Sequence, residues 1–314
     1  MYYAIMVIRI RRCFMIANLE MVHNNGVQVT GRVTTIENID TQSGSSYAKL
    51  TLEDRSGKLL AFAWSDSCHP SDFCINDVVK ATGLFQQLSY KCVLKLQSCE
   101  QEIYYSAIDL LPASLCSDPS LLVRLEHLIS QITIPPLKKL VEDTFKDNVL
   151  VKEFLSVPAS FRHHHSYEGG LFRHSIEAAE TVATSTVGIY PRNEHQVAVV
   201  AALFHDLGKI WTHGKSFRSL LDHSYLNLEI LAPRLAELDM VWRPGADMLR
   251  HMLVCPHDNR HDSLVIEEAI RYADRASAGL DARQMAFANE PAFKTCVKFG
   301  DRRYCRSQEY KRAA

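Results

Sequence analysis

Leu203-Phe-His-Asp-Leu-Gly-Lys209 follows the run Val197-Ala-Val-Val-Ala-Ala-Leu-Phe204, which is apolar around its whole circumference. A helix of that composition is a buried one. An adjacent imidazole and carboxylate at its end are costly to bury unless they are paired or hold a cation. The residues three, four and seven places before His205 are Ala202, Ala201 and Ala198, so one face of the helix is small and lets neighbouring helices come close. Gly208 is expected to stop the helix.

Other helices then supply partners for His205 and Asp206. His174 lies in Gly169-Gly-Leu-Phe-Arg-His-Ser175, at the start of an Ala- and Ile-rich stretch of helical period. Asp274 lies in Ala269-Ile-Arg-Tyr-Ala-Asp-Arg275, also helical. His223, His251 and His257 are further candidates, as are His163, His164 and His165 in the loop before Gly169. A mixed imidazole and carboxylate set suits Mn, Fe, Ni, Zn or Co better than Mg or Ca. A carboxylate that bridges two ions would allow a two-metal clamp on a phosphoryl group. Lys209 is placed to neutralise phosphoryl charge.

Upstream the period changes from helix to strand. Val27, Val29, Gly31 and Val33 alternate with polar residues, and Tyr47-Ala-Lys-Leu-Thr-Leu-Glu53 alternates strictly. Asp54-Arg-Ser-Gly57 has the chemistry of a turn, and Lys58-Leu-Leu-Ala-Phe-Ala-Trp64 is its return strand. Two more strands, 77–86 and 91–97, follow a polar break. Five short strands broken after the third predict an OB-fold barrel. Tyr47, Phe62, Trp64, Phe85 and Tyr90 are its candidates for stacking on bases. From Asp118 onward the pattern is helical, with Leu121, Leu122, Leu125, Leu128 and Ile129 at helix spacing and Asp118 as the expected N-cap. Pro135-Pro136 separates this helix from the next. The fold class is therefore α+β in two domains, a β-barrel followed by an all-α domain.

Composition bounds the function. Hydrophobic residues are 47% and charged residues 23% of the 314, which is globular. The net charge of -1 excludes a generally basic nucleic-acid coat. Between Val27 and Glu100 there are seven Lys/Arg and eight Asp/Glu, so any strand binding by the barrel is confined to a local face. The 9 Cys include no Cys-x-x-Cys pair, which argues for a reducing cytoplasm rather than a disulfide framework or zinc finger. The apolar start, Met1 to Ile8, is too short to span a bilayer, and its arginines follow it rather than precede it. Residues 1–24 are expected to be a disordered extension, with Met15 or Met21 as alternative starts. The last stretch carries Lys294, Lys298, Arg302, Arg303, Arg306, Lys311 and Arg312 against Asp301 and Glu309, a basic tail.

The arrangement His174, His205-Asp206, Asp274 resembles the HD superfamily of metal-dependent phosphohydrolases. His163-His-His-Ser-Tyr-Glu-Gly-Gly-Leu-Phe-Arg-His174, Ala202-Leu-Phe-His-Asp-Leu-Gly-Lys209 and Arg271-Tyr-Ala-Asp-Arg-Ala-Ser-Ala-Gly-Leu-Asp281 match its motifs in one branch. An OB-fold ahead of such a domain resembles the YhaM-type 3′→5′ exoribonucleases. The HD segment also resembles modules of conjugative TraI-type relaxase proteins. The resemblance implies metal ligands at His174, His205, Asp206 and Asp274, with further ligands of the two-metal branches at His223 and His251. Where the branch often has a His-His pair, this chain has Pro256-His257. It implies one or two divalent ions, Mn²⁺ favoured over Fe²⁺, Ni²⁺, Zn²⁺, Mg²⁺ or Co²⁺, and Asp206 and Lys209 as catalytic residues.

The expected organisation is an extension to 24, an OB barrel over 25–105, a helical linker over 106–150, an HD domain over 151–285 and the basic tail over 286–314. The expected activity is 3′→5′ hydrolysis of single-stranded RNA, or single-stranded DNA, to nucleoside monophosphates by a cytoplasmic homo-oligomer without membrane contact. His164 and His165 are expected on the substrate loop. The alternatives are a nucleotide or cyclic-nucleotide phosphohydrolase, and a non-catalytic accessory protein of nucleic-acid processing or conjugation.

Overall fold

A computed structural model describes residues 26–307 apart from 43, 65–73, 76, 89–90, 104, 162–163, 214–218 and 255–263. The extension 1–24, Tyr90, His163 and His257 thus lie outside the described residues. The chain divides after Leu115 into two units.

The first unit is a closed barrel of β1 (Gly26–Asp40), β2 (Ser46–Asp54), β3 (Gly57–Trp64), β4 (Val78–Leu88) and β5 (Lys91–Gln101) in the order β1-β2-β3-β5-β4. That is OB-fold topology. Strict alternation decides which side chains go inside. Ala48, Leu50 and Leu52 of β2 and Leu59, Ala61 and Ala63 of β3 point into the barrel, where they meet Val29, Phe85, Leu94 and Leu96. The long β1 serves two neighbours. Gly26–Arg32 pairs with β4 and Arg32–Asp40 with β2, and a register shift between Val33 and Thr35 bends it at the change of partner. The β2–β3 turn is held by Asp54, whose Oδ1 accepts from Ser56 N at 2.7 Å and Gly57 N at 3.0 Å. β3 and β5 are parallel, over Leu60↔Val93, Ala61↔Leu94 and Phe62↔Lys95.

Residues 106–115, expected as the start of a linker, are two short 3-10 turns that pack on the barrel. Arg55 N donates to Asp109 O at 2.8 Å and Ser114 Oγ to Glu53 Oε1 at 2.8 Å.

The second unit is helical: α1 (Ser120–Gln131), α2 (Pro135–Lys146), α3 (Asn148–Ser156), α4 (Gly170–Thr186), α5 (Arg192–Phe204), α6 (Lys209–His213), α7 (His223–Val254) and α8 (Glu267–Phe287). Every residue of α5 from Gln196 to Phe204 is buried, as its uniform hydrophobicity requires. Its three alanines let α4, α7 and α8 pack around it. Phe204 joins Phe145, Phe154 and Phe172 in an aromatic cluster with centroids 5.5–6.4 Å apart. Gln196, buried on this helix, satisfies its amide by accepting from Thr133 N and Ile134 N, both at 3.0 Å, and so holds the α1–α2 connection. α1 begins at Ser120, two residues after the expected cap. Asp118 Oδ1 still accepts from Ser120 N at 3.0 Å, from one position further out. α7 is two helical segments joined at Trp242 (φ -156, ψ 71), just ahead of Pro244, which cannot donate into a helical ladder.

Within the stretch expected as a basic tail, Cys296–Phe299 (β6) and Arg302–Cys305 (β7) form a hairpin turning at Gly300-Asp301. No helix among the described residues is long and apolar enough to cross a membrane.

Candidate metal centre

Four helices (α4, α6, α7 and α8), the turn after α5 and one loop bring the chemistry together. α5 ends at Phe204, four residues earlier than a stop at Gly208 would give, and His205 to Gly208 form a turn into α6. Gly208 serves another purpose: a Cβ there would stand 2.1 Å from His223 O, so only glycine admits the start of α7. Asn227 on α7 fastens the turn by accepting from Gly208 N at 2.6 Å and donating to His205 O.

His205 Nδ1 donates to Ala202 O at 2.8 Å, which leaves the Nε2 lone pair free. That Nε2 lies 3.4 Å from Asp206 Oδ2 and 3.9 Å from Asp274 Oδ1. His174 Nε2, from α4, lies 3.4 Å from Asp206 Oδ2 and 3.2 Å from Asp274 Oδ1 of α8. The four residues expected from the sequence therefore converge. Asp206 faces two ways: Oδ2 meets Lys209 Nζ at 2.6 Å, while Oδ1 meets His223 Nε2 at 3.1 Å.

His164 and His165 separate in role. His164 offers a ring nitrogen to His174 and Asp274, all ligand atoms within 4.8 Å of one another. His165 turns behind His174, with its backbone at positive φ (48°). The loop crosses the start of α4 so closely that a Cβ at Gly170 would lie 2.0 Å from His165 O. The adjoining glycine, Gly169, sits at φ 76° as the N-cap. His251 is engaged elsewhere, with Nε2 2.7 Å from Glu267 Oε1.

Burial lowers His205 and keeps it neutral, and burial pushes His164 down to about 4. Burial would also lower His174, but Asp206 and Asp274 outweigh it and raise it to about 9. Burial disfavours the charge of Asp206, yet Lys209 and the bonds from His174 and His223 hold its carboxyl well below the usual range. Asp274 is lowered in the same way, burial being overcome by His174 and His205. Among the described residues, the buried nitrogens His164 Nε2, His174 Nε2 and His205 Nε2 have no hydrogen bond of acceptable direction, although carboxylate oxygens stand close to the last two. Orphaned imidazole nitrogens converging on carboxylates fit a divalent cation of the transition series. His174, His205 and Asp206 form one such group, with ligand atoms within 4.8 Å, and His164, His174 and Asp274 the other.

Neither residue type nor spacing marks Ser277, Glu177, Asp281 or Asn227 as functional, although Ser277 and Asp281 fall inside the stretch Arg271–Asp281 quoted above. Each is an ordinary polar residue on a helix, and only the packing shows that it supports the site.

On the barrel, Tyr47, Phe62 and Trp64 form an outward aromatic cluster, with centroids 4.7 Å (Tyr47–Trp64) and 5.9 Å (Tyr47–Phe62) apart. Lys49 and Lys95 pair in register with Phe62 on the neighbouring strands. Phe85 does not belong with them. It is 2% exposed and part of the barrel core, because its place in the alternation of β4 points inward.

A family model described as a putative helicase, TraI_2, matches residues 112–218. Over 174 residues the chain is 26% identical to the 3'-5' exoribonuclease YhaM of Listeria monocytogenes, covering 54% of each. It is 24% identical to the YhaM of Halalkalibacterium halodurans, covering 54% of this chain and 53% of that one. The chain spans about half the length of the curated relatives it matches. Among solved structures, the second OB-fold domain of replication protein A from Methanococcus maripaludis is 15% identical, with a TM-score of 0.24, over 29% of this chain and 96% of that one.

Proposed function

We propose that the chain is a metal-dependent phosphodiester hydrolase of the HD type, acting as a 3′→5′ exoribonuclease on single-stranded RNA and releasing nucleoside monophosphates. The observation that carries this is the buried Asp206 carboxylate shared by two orphaned imidazole nitrogens, His174 and His205, with Asp274 closing the set from a third helix. The exoribonuclease names of the relatives support RNA as the substrate class.

His174, His205, Asp206 and Asp274 would hold the ion, Mn²⁺ by preference, with His164 beside them and His223 Nε2 against Asp206 Oδ1. When bound, the ion polarises the phosphoryl group and acidifies water. Lys209 brings a positive charge to the same carboxylate and so to the charge that grows on the phosphoryl oxygens. His205 is locked by Ala202 O in the tautomer that exposes Nε2. In the barrel, Tyr47, Phe62 and Trp64 offer stacking faces to bases, with Lys49 and Lys95 for the phosphates.

The test is purified protein with Mn²⁺ and end-labelled single-stranded RNA, run beside single-stranded DNA, nucleotides and cyclic nucleotides. A ladder shortening from the 3′ end supports the proposal. Turnover of mononucleotides without shortening replaces it with a nucleotide phosphohydrolase, and no turnover with any transition metal removes hydrolysis altogether. Asp206→Ala is expected to abolish the ladder while preserving the circular dichroism spectrum.

A further inference from the structure

A closed set of polar groups lies behind His174, on the side away from the carboxylates. Ser277 Oγ on α8 is within hydrogen-bond distance of three partners: Glu177 Oε2 at 2.7 Å, His174 Nδ1 at 3.0 Å and His165 Nε2 at 3.1 Å. Ser277 is 4% exposed, and His174 and His165 are equally enclosed, while Glu177 keeps 19% of its side chain exposed, so water can reach the carboxylate but not the two ring nitrogens. The protons can be counted. A hydroxyl has one hydrogen and two lone pairs. An ionised carboxylate only accepts, so the hydrogen of Ser277 goes to Glu177. Both lone pairs of Oγ then remain to accept, and both ring nitrogens that face them must carry hydrogen. His174 Nδ1 is therefore a donor, and Nε2 is the nitrogen left to face Asp206 and Asp274. Turning the hydroxyl toward a ring would set two oxygen lone pairs against each other at 2.7 Å.

The rest of the set keeps Glu177 and His165 in place. Arg173 NH1 stands 3.8 Å from Glu177 Oε1, one helical turn back. His165 is anchored by its backbone N–H donating to Asp281 Oδ2 at 2.6 Å, and its Nδ1 is 2.9 Å from Tyr167 Oη.

We propose that Ser277, oriented by Glu177, is a positioning residue that holds a proton of His174 on Nδ1 and so leaves Nε2 as the nitrogen a divalent ion would take. The inference rests on the metal-site reading above and adds the group that makes His174 a competent ligand. Ser277 itself touches neither ion nor substrate. The outer partner of a metal-bound histidine commonly changes ion affinity by about 10–100-fold. Glu177 acts through the same hydroxyl, so its loss and that of Ser277 must not add.

The experiment is titration of the full chain with Mn²⁺, with the free ion followed by electron paramagnetic resonance. Wild type is compared with Ser277→Ala, Glu177→Gln, the double variant and His205→Ala. Expected are loss of binding in His205→Ala, affinity about 10–100-fold weaker in Ser277→Ala, a loss of similar sign in Glu177→Gln, and a double variant no weaker than Ser277→Ala. In the Zn²⁺-loaded wild type a protected His174 Nδ1–H resonance is expected, and in Ser277→Ala that protection is gone. If wild type binds no Mn²⁺, the metal-site reading fails and takes this inference with it. If His205→Ala loses the ion while Ser277→Ala keeps wild-type affinity, the site stands and the positioning role is overturned. Additive losses would overturn the shared hydroxyl.

Discussion

Adding Mn²⁺ should raise the melting temperature of the helical unit by an amount that can be worked out. The four proposed ligands sit on α4, on the turn after α5 and on α8, and His174 and Asp274 are far apart in the chain. An unfolded chain offers no such set, so the ion binds the native state and stabilises it through mass action. With free ion at about one hundred times its dissociation constant, the gain is about 2.7 kcal/mol. For a unit of the size of residues 116–314, each kcal/mol moves the midpoint by about 2–4 °C, which gives about 5–11 °C. Calorimetric scans of the wild type and of Asp206→Ala, each with and without Mn²⁺, make the comparison. The variant is expected to keep its circular dichroism spectrum and to show no rise. An equal rise in both proteins would mean that the ion stabilises from another place, and the site described here would be refuted.

Metal affinity should also depend on pH with a defined sign. In the ion-free site His174 is raised to about 9 by Asp206 and Asp274 against the effect of burial, so below that pH an ion must displace a proton. Affinity for Mn²⁺ is expected to climb about tenfold per pH unit toward 9 and then level off; a flat profile from pH 6 to 9 would contradict the assigned environment of His174. Phe62→Ala and Trp64→Ala should each weaken single-stranded RNA binding by about 1–3 kcal/mol in fluorescence anisotropy while leaving turnover of a dinucleotide unchanged, and parallel losses on both substrates would remove the stacking role. Gly170→Ala forces a Cβ to within 2.0 Å of His165 O and is expected to cost about 1–3 kcal/mol in urea unfolding, with Mn²⁺ affinity falling as the loop carrying His164 is pushed away.

The four central residues could be found in the sequence because their cost is local. A His-Asp pair at the end of an all-apolar helix requires a partner wherever that helix goes, and His174 and Asp274 carry the same conflict between polarity and helical period. The barrel was equally open to reading, since strict alternation in β2 and β3 fixes which side chains face inward. What could not be read depends on contacts between elements. The need for glycine at 208 comes from the approach of His223 O, which no local pattern shows. Phe85 faces inward through the phase of β4, which residue type alone does not reveal. Ser277 and Glu177 lie 100 positions apart and acquire meaning only where α4 packs on α8.

The barrel is shut by its shortest ladder, the three parallel pairs between β3 and β5. Every other strand boundary is a longer antiparallel zipper, so this edge is the latch and breathing of the cylinder begins there. Opening it leaves a β1–β2–β3 ribbon and a β4–β5 ribbon, both still attached through β1. Phe62 and Lys95 flank that latch from opposite sides, so anything that grips both at once also holds the door closed.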